Sequence, residues 1–490
     1  MPPQIATLIF IFIIAYLFRV DFRTSGSSSK AIWIPIIWIF IGESRFPSQW
    51  LNLGADAQNR LAQSVEGSPT DAAVFFILIL AGVLILRRRR INWSSLFTQN
   101  IWIWLFFIFA AFSIFWSDYP FISLKRLIKS FGNIIMILLI LTDERPYKTL
   151  GVVLKYLTFL LIPLSVLFIK FYPDIGREYH MGMPMFSGVS TSKNILGQTC
   201  LLSGLYFTWN LLINRKNGIA LEQLHYSIYL VILPMITWLF YMSSSATSTA
   251  CMGIAVCIFF VGSQSVMIRQ PTRTFYLTLS AFVMFGFLEW LFGISAAIIT
   301  MLGRSPDLTT RVPMWIDLLA MVDNPIIGFG YESFWLGTRQ EFMDNKWNIT
   351  MQAHNGYLEM YLNMGLVGLL FLLSWVLSGL IKIKRYFLID YPVALLRFCF
   401  VLIVLIYNWT EATFYGVNPM WMILFLGIME TPNEHLPEKL PNKLQVQGLP
   451  MSRARPRKDI FLVEIKNNSI AREQSRLQHN YSKTKGENLK

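Results

Sequence analysis

At 490 residues the chain has the length of about two or three soluble domains, but 54% hydrophobic and only 14% charged residues, with a mean hydropathy of +0.49, exclude that organisation. A net charge of +14 would suit a nucleic-acid binder if it were gathered on one face. Instead the basic residues flank apolar blocks, as at Arg87-Arg88-Arg89-Arg90, Arg215-Lys216 and Lys382, Lys384, Arg385, which marks cytoplasmic loops of a membrane protein and leaves no role for nucleic acid.

Taken in order, the apolar blocks are 5–18, 31–42, 72–86, 100–116, 127–142, 150–169, 195–213, 228–242, 250–262, 275–302, 365–381, 393–409 and 419–430. Most suit a helix crossing a bilayer, and the expected fold is an all-α polytopic integral membrane protein with about 12–13 transmembrane helices. The first block, with its apolar core from Ile5 to Phe18, has no basic stretch before it and no small-residue cleavage site at Arg19, Val20, Asp21, so it reads as a retained helix rather than a signal peptide. Cys200, Cys251, Cys257 and Cys399 all fall inside apolar segments without metal-ligand spacing and read as buried thiols. Residues 1–430 are expected to form the membrane domain, and the basic, proline-containing stretch 431–490 a flexible cytoplasmic tail that meets anionic lipid.

With Arg87 to Arg90 placed inside, alternation puts 43–71, 117–126, 170–194, 243–249, 303–364 and 410–418 outside. Of these, 303–364 is the longest polar segment between two spans. It holds Arg304, Arg311, Arg339 and Lys346 against Asp307, Asp317, Asp323, Glu332, Glu341, Asp344 and Glu359, a net acidic balance that makes its arginines conspicuous. Within it Pro313 suits a first helical turn, and Trp315, Leu318, Leu319 and Val322 share one face, predicting a short helix on the membrane surface that ends at Asn324-Pro325. Phe334 and Trp335 are predicted at the membrane interface. Asn355 is predicted to cap a second helix running into the next span, which places His354 at a helix entrance.

The chemistry is narrowed by what the sequence offers. It contains no Walker loop, no Gly-x-Gly-x-x-Gly at a strand end, no His-Glu-x-x-His and no clustered cysteine ligands, so no cofactor and no metal are expected. The external face offers arginines and a histidine. Arginine holds phosphate oxygens through a planar fork, and an imidazole takes a proton from a hydroxyl. Arg304, Arg311 and His354, with His180 a weaker choice, are therefore candidates for transfer from a diphosphate leaving group, although arginines at a membrane edge also suit interfacial anchors and a lone external histidine a polar surface residue. Arg304, Lys193, Asn194, Arg177 and Asn355 are candidate substrate-binding residues, although Lys193-Asn194 also suits a snorkelling lysine followed by a helix cap.

Several segments occur in an order that resembles the O-antigen ligase/polymerase superfamily, most closely its exopolysaccharide-polymerase branch. They are Trp116-Ser117-Asp118-Tyr119-Pro120 with Ser123 and Arg126, Gly188-Val189-Ser190-Thr191-Ser192-Lys193-Asn194, Leu308-Thr309-Thr310-Arg311 with Trp315, Gly328-Phe329-Gly330-Tyr331, and Ala353-His354-Asn355-Gly356-Tyr357-Leu358 with Gly365 and Gly368. The resemblance implies an inverting glycosyltransferase in the bacterial inner membrane. Its donor would be a polyprenyl-diphosphate-linked oligosaccharide, such as undecaprenyl diphosphate carries, and its acceptor a second lipid-linked glycan or the lipid A-core of lipopolysaccharide. Arg311 would then bind the diphosphate and His354 activate the acceptor hydroxyl. The chain departs from the family where an aromatic-Arg pair is expected, since Phe186-Ser187 stand there, and Ala246 replaces a frequent lysine. Lys193, Arg177 or Arg304 would have to supply a second cation. A transporter or flippase of lipid-linked glycans is the alternative, but the polar residues concentrate outside the bilayer rather than midspan.

Overall fold

The structure is a computed structural model and describes residues 1–24, 29–51, 67–180, 183–214, 224–292, 311–347 and 352–430. Arg304 and the tail 431–490 lie outside the described residues. Every apolar block named above carries a helix. In chain order, leaving single turns unlabelled, these are α1 (Pro3–Thr24), α2 (Trp33–Glu43), α3 (Pro69–Arg88), α4 (Trp93–Gln99), α5 (Ile101–Phe112), α6 (Pro120–Leu141), α7 (Pro146–Phe171), α8 (Lys193–Trp209), α9 (Tyr226–Ser243), α10 (Ala246–Gly262) and α11 (Pro271–Phe292). The loop helices α12 (Arg311–Ala320) and α13 (Thr338–Trp347) follow, then α14 (Gly356–Tyr386), α15 (Tyr391–Thr410) and α16 (Pro419–Ile428). A short antiparallel hairpin, Arg177–His180 against Met183–Phe186, precedes α8; the apolar pattern gave no hint of it.

The chain is a multi-pass helical membrane protein. Among the described residues six helices (α1, α3, α7, α9, α14 and α15) are long and apolar enough to cross a bilayer. The pair α4–α5, bent by 84°, adds a seventh if it is one span. Some of the other apolar blocks form shorter helices, such as α16 with 10 residues, and α6 carries more charge, with Lys125, Arg126 and Lys129. Starts follow local chemistry. Asp390 accepts from Val393 N at 3.1 Å before α15, Asn418 accepts from Met420 N at 2.9 Å before α16, and each is followed by a proline in the first turn.

Packing sorts the helices into layers. Helices α7 and α15 are mostly buried, whereas α1 and α3 turn most of their side chains outward, with Phe12, Phe76 and Ile77 among the exposed apolar residues. An apolar outer surface is what lipid requires, and it leaves the charged residues of the core to find partners within the protein. Lys155 of α7 and Asp21 of α1, both with 0% side-chain exposure, pair at 2.6 Å. Arg397 of α15 pairs with Glu430 at 3.0 Å and donates to the carbonyl of Gly427 at 3.0 Å.

The polar loop folds around a small core of its own. Met314 and Leu318 of α12, Phe334, Trp335, Met343 of α13, Ala353 and Leu362 of α14 form one buried cluster. Phe334 and Trp335 are thus interior residues, not interfacial ones, because each ring packs on its neighbours edge-on at 5.2–5.4 Å. The inward face of α12 is also rotated from the expected one. Leu318 is inside, but Leu319 is exposed and joins Val312 and Ile316 in an outward apolar stripe.

The loop is stitched into α14 at Gly365, whose φ of 63° breaks the helix. The freed carbonyls of Leu362 and Asn363 accept from Phe329 N (3.1 Å) and Gly330 N (2.8 Å). Beyond the break Leu366 N and Val367 N donate to Pro325 O (2.9 Å) and Ile326 O (3.1 Å). A β-carbon on Gly365 would stand 2.3 Å from the Ile326 carbonyl, so the exchange of backbone bonds needs a glycine there.

Candidate functional site

At one end of the bundle four chain segments converge on a carboxylate that the apolar pattern did not single out, Glu411. It follows α15 directly, and its own N–H donates to Tyr407 O at 3.0 Å. The turn that carries it is folded by Asn408, which donates to Thr413 Oγ1 at 2.7 Å and accepts from Thr413 N at 2.9 Å. The backbone carbonyl of Glu411 in turn accepts from Gly356 N at 3.1 Å, docking the first turn of α14 against the end of α15.

Three of the residues singled out from sequence reach the Glu411 side chain. His354 Nδ1 lies 3.4 Å from Oε2, Asn194 Nδ2 donates to the same oxygen at 3.3 Å, and Arg311 Nη2 stands 3.8 Å from Oε1. The Arg311 Nη1 donates at 2.6 Å to the carbonyl of Thr410, the last residue of α15, where the negative end of the helix favours a cation. Among the described residues, that leaves much of the guanidinium fork uncommitted. The side chains of His354 and Arg311 are 23% and 25% exposed, that of Glu411 only 11%, so the imidazole and the guanidinium reach the surface while the carboxylate is more deeply buried.

His354 is held in an unusual backbone conformation, with φ of +50°, that costs a non-glycine residue energy and persists only where its surroundings fix it. Both flanks are fixed. Ala353 N donates to Glu359 Oε1 at 2.5 Å, and Ala353 O accepts from Trp315 Nε1 at 2.8 Å. Glu359 is itself held by Trp335 Nε1, at 2.9 and 2.8 Å to its two oxygens. On the other side Asn355 Oδ1 accepts from Tyr357 N and Leu358 N, each at 3.0 Å, and its Nδ2 donates to Trp409 O at 3.2 Å. Asn355 is therefore the predicted helix cap and a tie to α15. Nδ1 of the imidazole faces Glu411, and its Nε2 has no hydrogen-bond partner among the described residues.

The remaining candidates are placed differently. Lys193 opens α8 beside Asn194 and, among the described residues, takes part in no ion pair. Arg177 is not brought to Glu411: its Nε and Nη2 donate to the carbonyl of Ile169 at 3.0 and 2.9 Å, and the guanidinium lies over the Phe186 ring at 5.6 Å, so it closes the end of α7 against the hairpin. A cation that the motifs did not single out, Arg45, reaches the Ser187–Ser190 turn, donating to Val189 O at 3.0 Å and to Ile175 O at 2.7 Å. Below the site the helices approach closely through small polar residues. Ser245 Oγ donates to Ser248 Oγ at 2.9 Å, and a β-carbon on Gly197 would meet both side chains within 2.9 Å.

A membrane-embedded helical bundle with an Arg–His–Glu cluster where helix ends meet a folded loop defines a class, and comparison with known proteins agrees with it. Residues 229–373 match the family described as O-antigen ligase, a segment that includes Arg311 and His354 but neither Asn194 nor Glu411. The chain is also similar to the exopolysaccharide production protein ExoQ of Rhizobium meliloti (strain 1021), at 27% identity over 292 residues, covering 56% of this chain and 63% of that relative's length. The likeness to the O-antigen ligase/polymerase superfamily is thereby shown. No solved structure matches.

Proposed function

We propose that the protein transfers a polyprenyl-diphosphate-linked glycan to a sugar hydroxyl, as an exopolysaccharide or O-antigen polymerase or ligase, with its folded loop on the outer side of the bacterial inner membrane. The observation that carries this reading is the convergence of Arg311, His354 and Glu411 at the lip of the bundle. Arg311 binds the diphosphate with its guanidinium. The exposed apolar stripe Val312, Ile316, Leu319 rests α12 on the lipid surface, at the depth where a lipid-linked diphosphate lies.

In the reaction His354 Nε2 takes the proton of the acceptor hydroxyl. The acceptor oxygen forms a bond to the anomeric carbon as the bond to the diphosphate breaks, so the configuration inverts and the electron pair leaves on the diphosphate. Arg311 faces the charge gathering on that leaving group, and Glu411 orients the imidazole and faces its positive charge once it is protonated. Asn194 donates to the same Glu411 oxygen that faces His354. The step is metal-independent. Base assistance of this kind contributes about 10²–10⁴-fold. The test is His354→Ala, verified as membrane-inserted, in a transfer assay with a labelled lipid-linked oligosaccharide. A loss in that range is expected, whereas undiminished transfer would sink the assignment. Abolition by a chelator would overturn the metal-free step.

A further inference from the structure

Between α12 and α13 the loop carries an open cleft of about 380 Å³ lined by Asp317, Ala320, Met321, Thr338, Arg339 and Phe342, within the size range of small-ligand sites. We propose that this cleft binds a neutral sugar unit of the glycan, away from the reacting bond; the inference rests on the glycan-transfer reading above.

Its polar groups are fixed before any ligand arrives. Asp317 Oδ2 accepts from both Trp347 Nε1 (2.8 Å) and Lys346 Nζ (2.7 Å), while Oδ1 has no partner among the described residues and keeps its capacity to accept from a hydroxyl. Arg339 is tied to Phe334 O at 3.0 Å and to Asp118 Oδ2 at 2.8 Å, with its guanidinium 4.2 Å from the centre of the Phe329 ring. Each charge in the wall is already balanced, Asp317 by Lys346 and Arg339 by Asp118, so the cleft favours a neutral polyol over an anion. The Thr338 hydroxyl forms no hydrogen bond among the described residues and supplies a donor and an acceptor. Phe342, 45% exposed, offers a flat apolar surface for the C–H face of a sugar ring. Preorganised groups of this kind lose little freedom on binding. Asp317 lies six residues along α12 from Arg311, about 9 Å of helix rise, which separates the cleft from the diphosphate end by more than one bonded contact.

The test titrates the purified full-length protein in detergent with oligosaccharides obtained by partial acid hydrolysis of the host strain's own surface polysaccharide, reading tryptophan fluorescence. A saturable change is expected, carried by Trp347 and absent in Trp347→Phe. Phe342→Ala should weaken binding roughly two- to tenfold, and Thr338→Val supplies a second variant at the same cleft should the first fail to fold. No saturable change in the wild type, persistence of the signal in Trp347→Phe, or unaltered affinity in both cleft variants would overturn the cleft assignment. Those outcomes would leave the transfer reading to stand or fall on His354→Ala alone.

Discussion

Replacing Glu411 by glutamine tests whether this buried acid works through His354. The carboxylate stands 3.4 Å from His354 Nδ1, 3.3 Å from Asn194 Nδ2 and 3.8 Å from Arg311 Nη2. A hydrogen bond to a charged partner is worth ~1.5–3 kcal/mol, and a separation of 3.4 Å lies beyond the usual hydrogen-bond distance, so the lower figure applies. About 1.5 kcal/mol corresponds to roughly a tenfold fall in the transfer rate for Glu411→Gln. In a His354→Ala background the same substitution should cost about twofold or less, because no ring remains to be oriented and coupled residues are non-additive. The assay is single-turnover transfer of a fluorescent polyprenyl-diphosphate oligosaccharide by the purified protein, in all four members of the cycle. A wild-type rate for Glu411→Gln would refute the reasoning, as would an equal tenfold loss in both backgrounds.

Other perturbations probe how the loop holds the site. Gly365→Ala places a β-carbon against the Ile326 carbonyl at a φ of 63°, with about 1–3 kcal/mol of backbone strain before any clash; limited proteolysis should cut within 311–347 faster than in the wild type, and identical protection would contradict the stitched helix break. Glu359→Ala leaves the Ala353 amide and the Trp335 indole without their acceptor, at about 1–3 kcal/mol, and should slow transfer. Glu359→Gln keeps an oxygen at the Oε1 position that receives both donors and should retain most of the rate, so equal loss in the two variants would show that charge, not positioning, matters. Asp317 is held below its ordinary value of 3.8 by the hydrogen bond from Lys346 and then that from Trp347. A depressed carboxyl contributes stability above its unfolded pKa and loses it as pH falls through the folded one. The stability gap between Asp317→Asn and wild type should therefore be full at neutral pH and close in strong acid, and a gap that persisted there would contradict the ion-pair account.

Much of this architecture is legible in the residues because it rests on short-range rules. Apolar blocks announced their helices, and Asn355 capped the helix that it was expected to cap. The loop arginine Arg311 and the histidine His354 stood out because the segment 303–364 is net acidic and histidines are few along the chain. Glu411 did not stand out: its role depends on a contact with a residue 57 positions away, and an acid in the short connection 410–418 has no periodicity to mark it. Its one local signal is an acidic side chain at the very end of a buried helix. Arg177 misled for the converse reason. An arginine in an external loop reads as a ligand-binding cation, yet here the last turn of α7 leaves the Ile169 carbonyl for it to satisfy. Phe334 and Trp335 were drawn to the interface by their amphipathic character, but the loop is long enough to bury them in a core of its own. Asp21, just after the first apolar block, pairs with Lys155 across the bundle, a contact that no short-range pattern announces.

The central claim is that the Arg311–His354–Glu411 cluster performs glycosyl transfer. The most direct measurement supplies purified protein in detergent, where transport has no meaning, with a radiolabelled polyprenyl-diphosphate oligosaccharide and an acceptor glycan, and follows both the lengthened glycan and the released polyprenyl diphosphate. The account predicts that the two products appear together in equal amounts and that both fall sharply in Arg311→Ala. Wild-type protein that binds the lipid-linked donor yet forms neither product would contradict it and return the chain to the flippase reading.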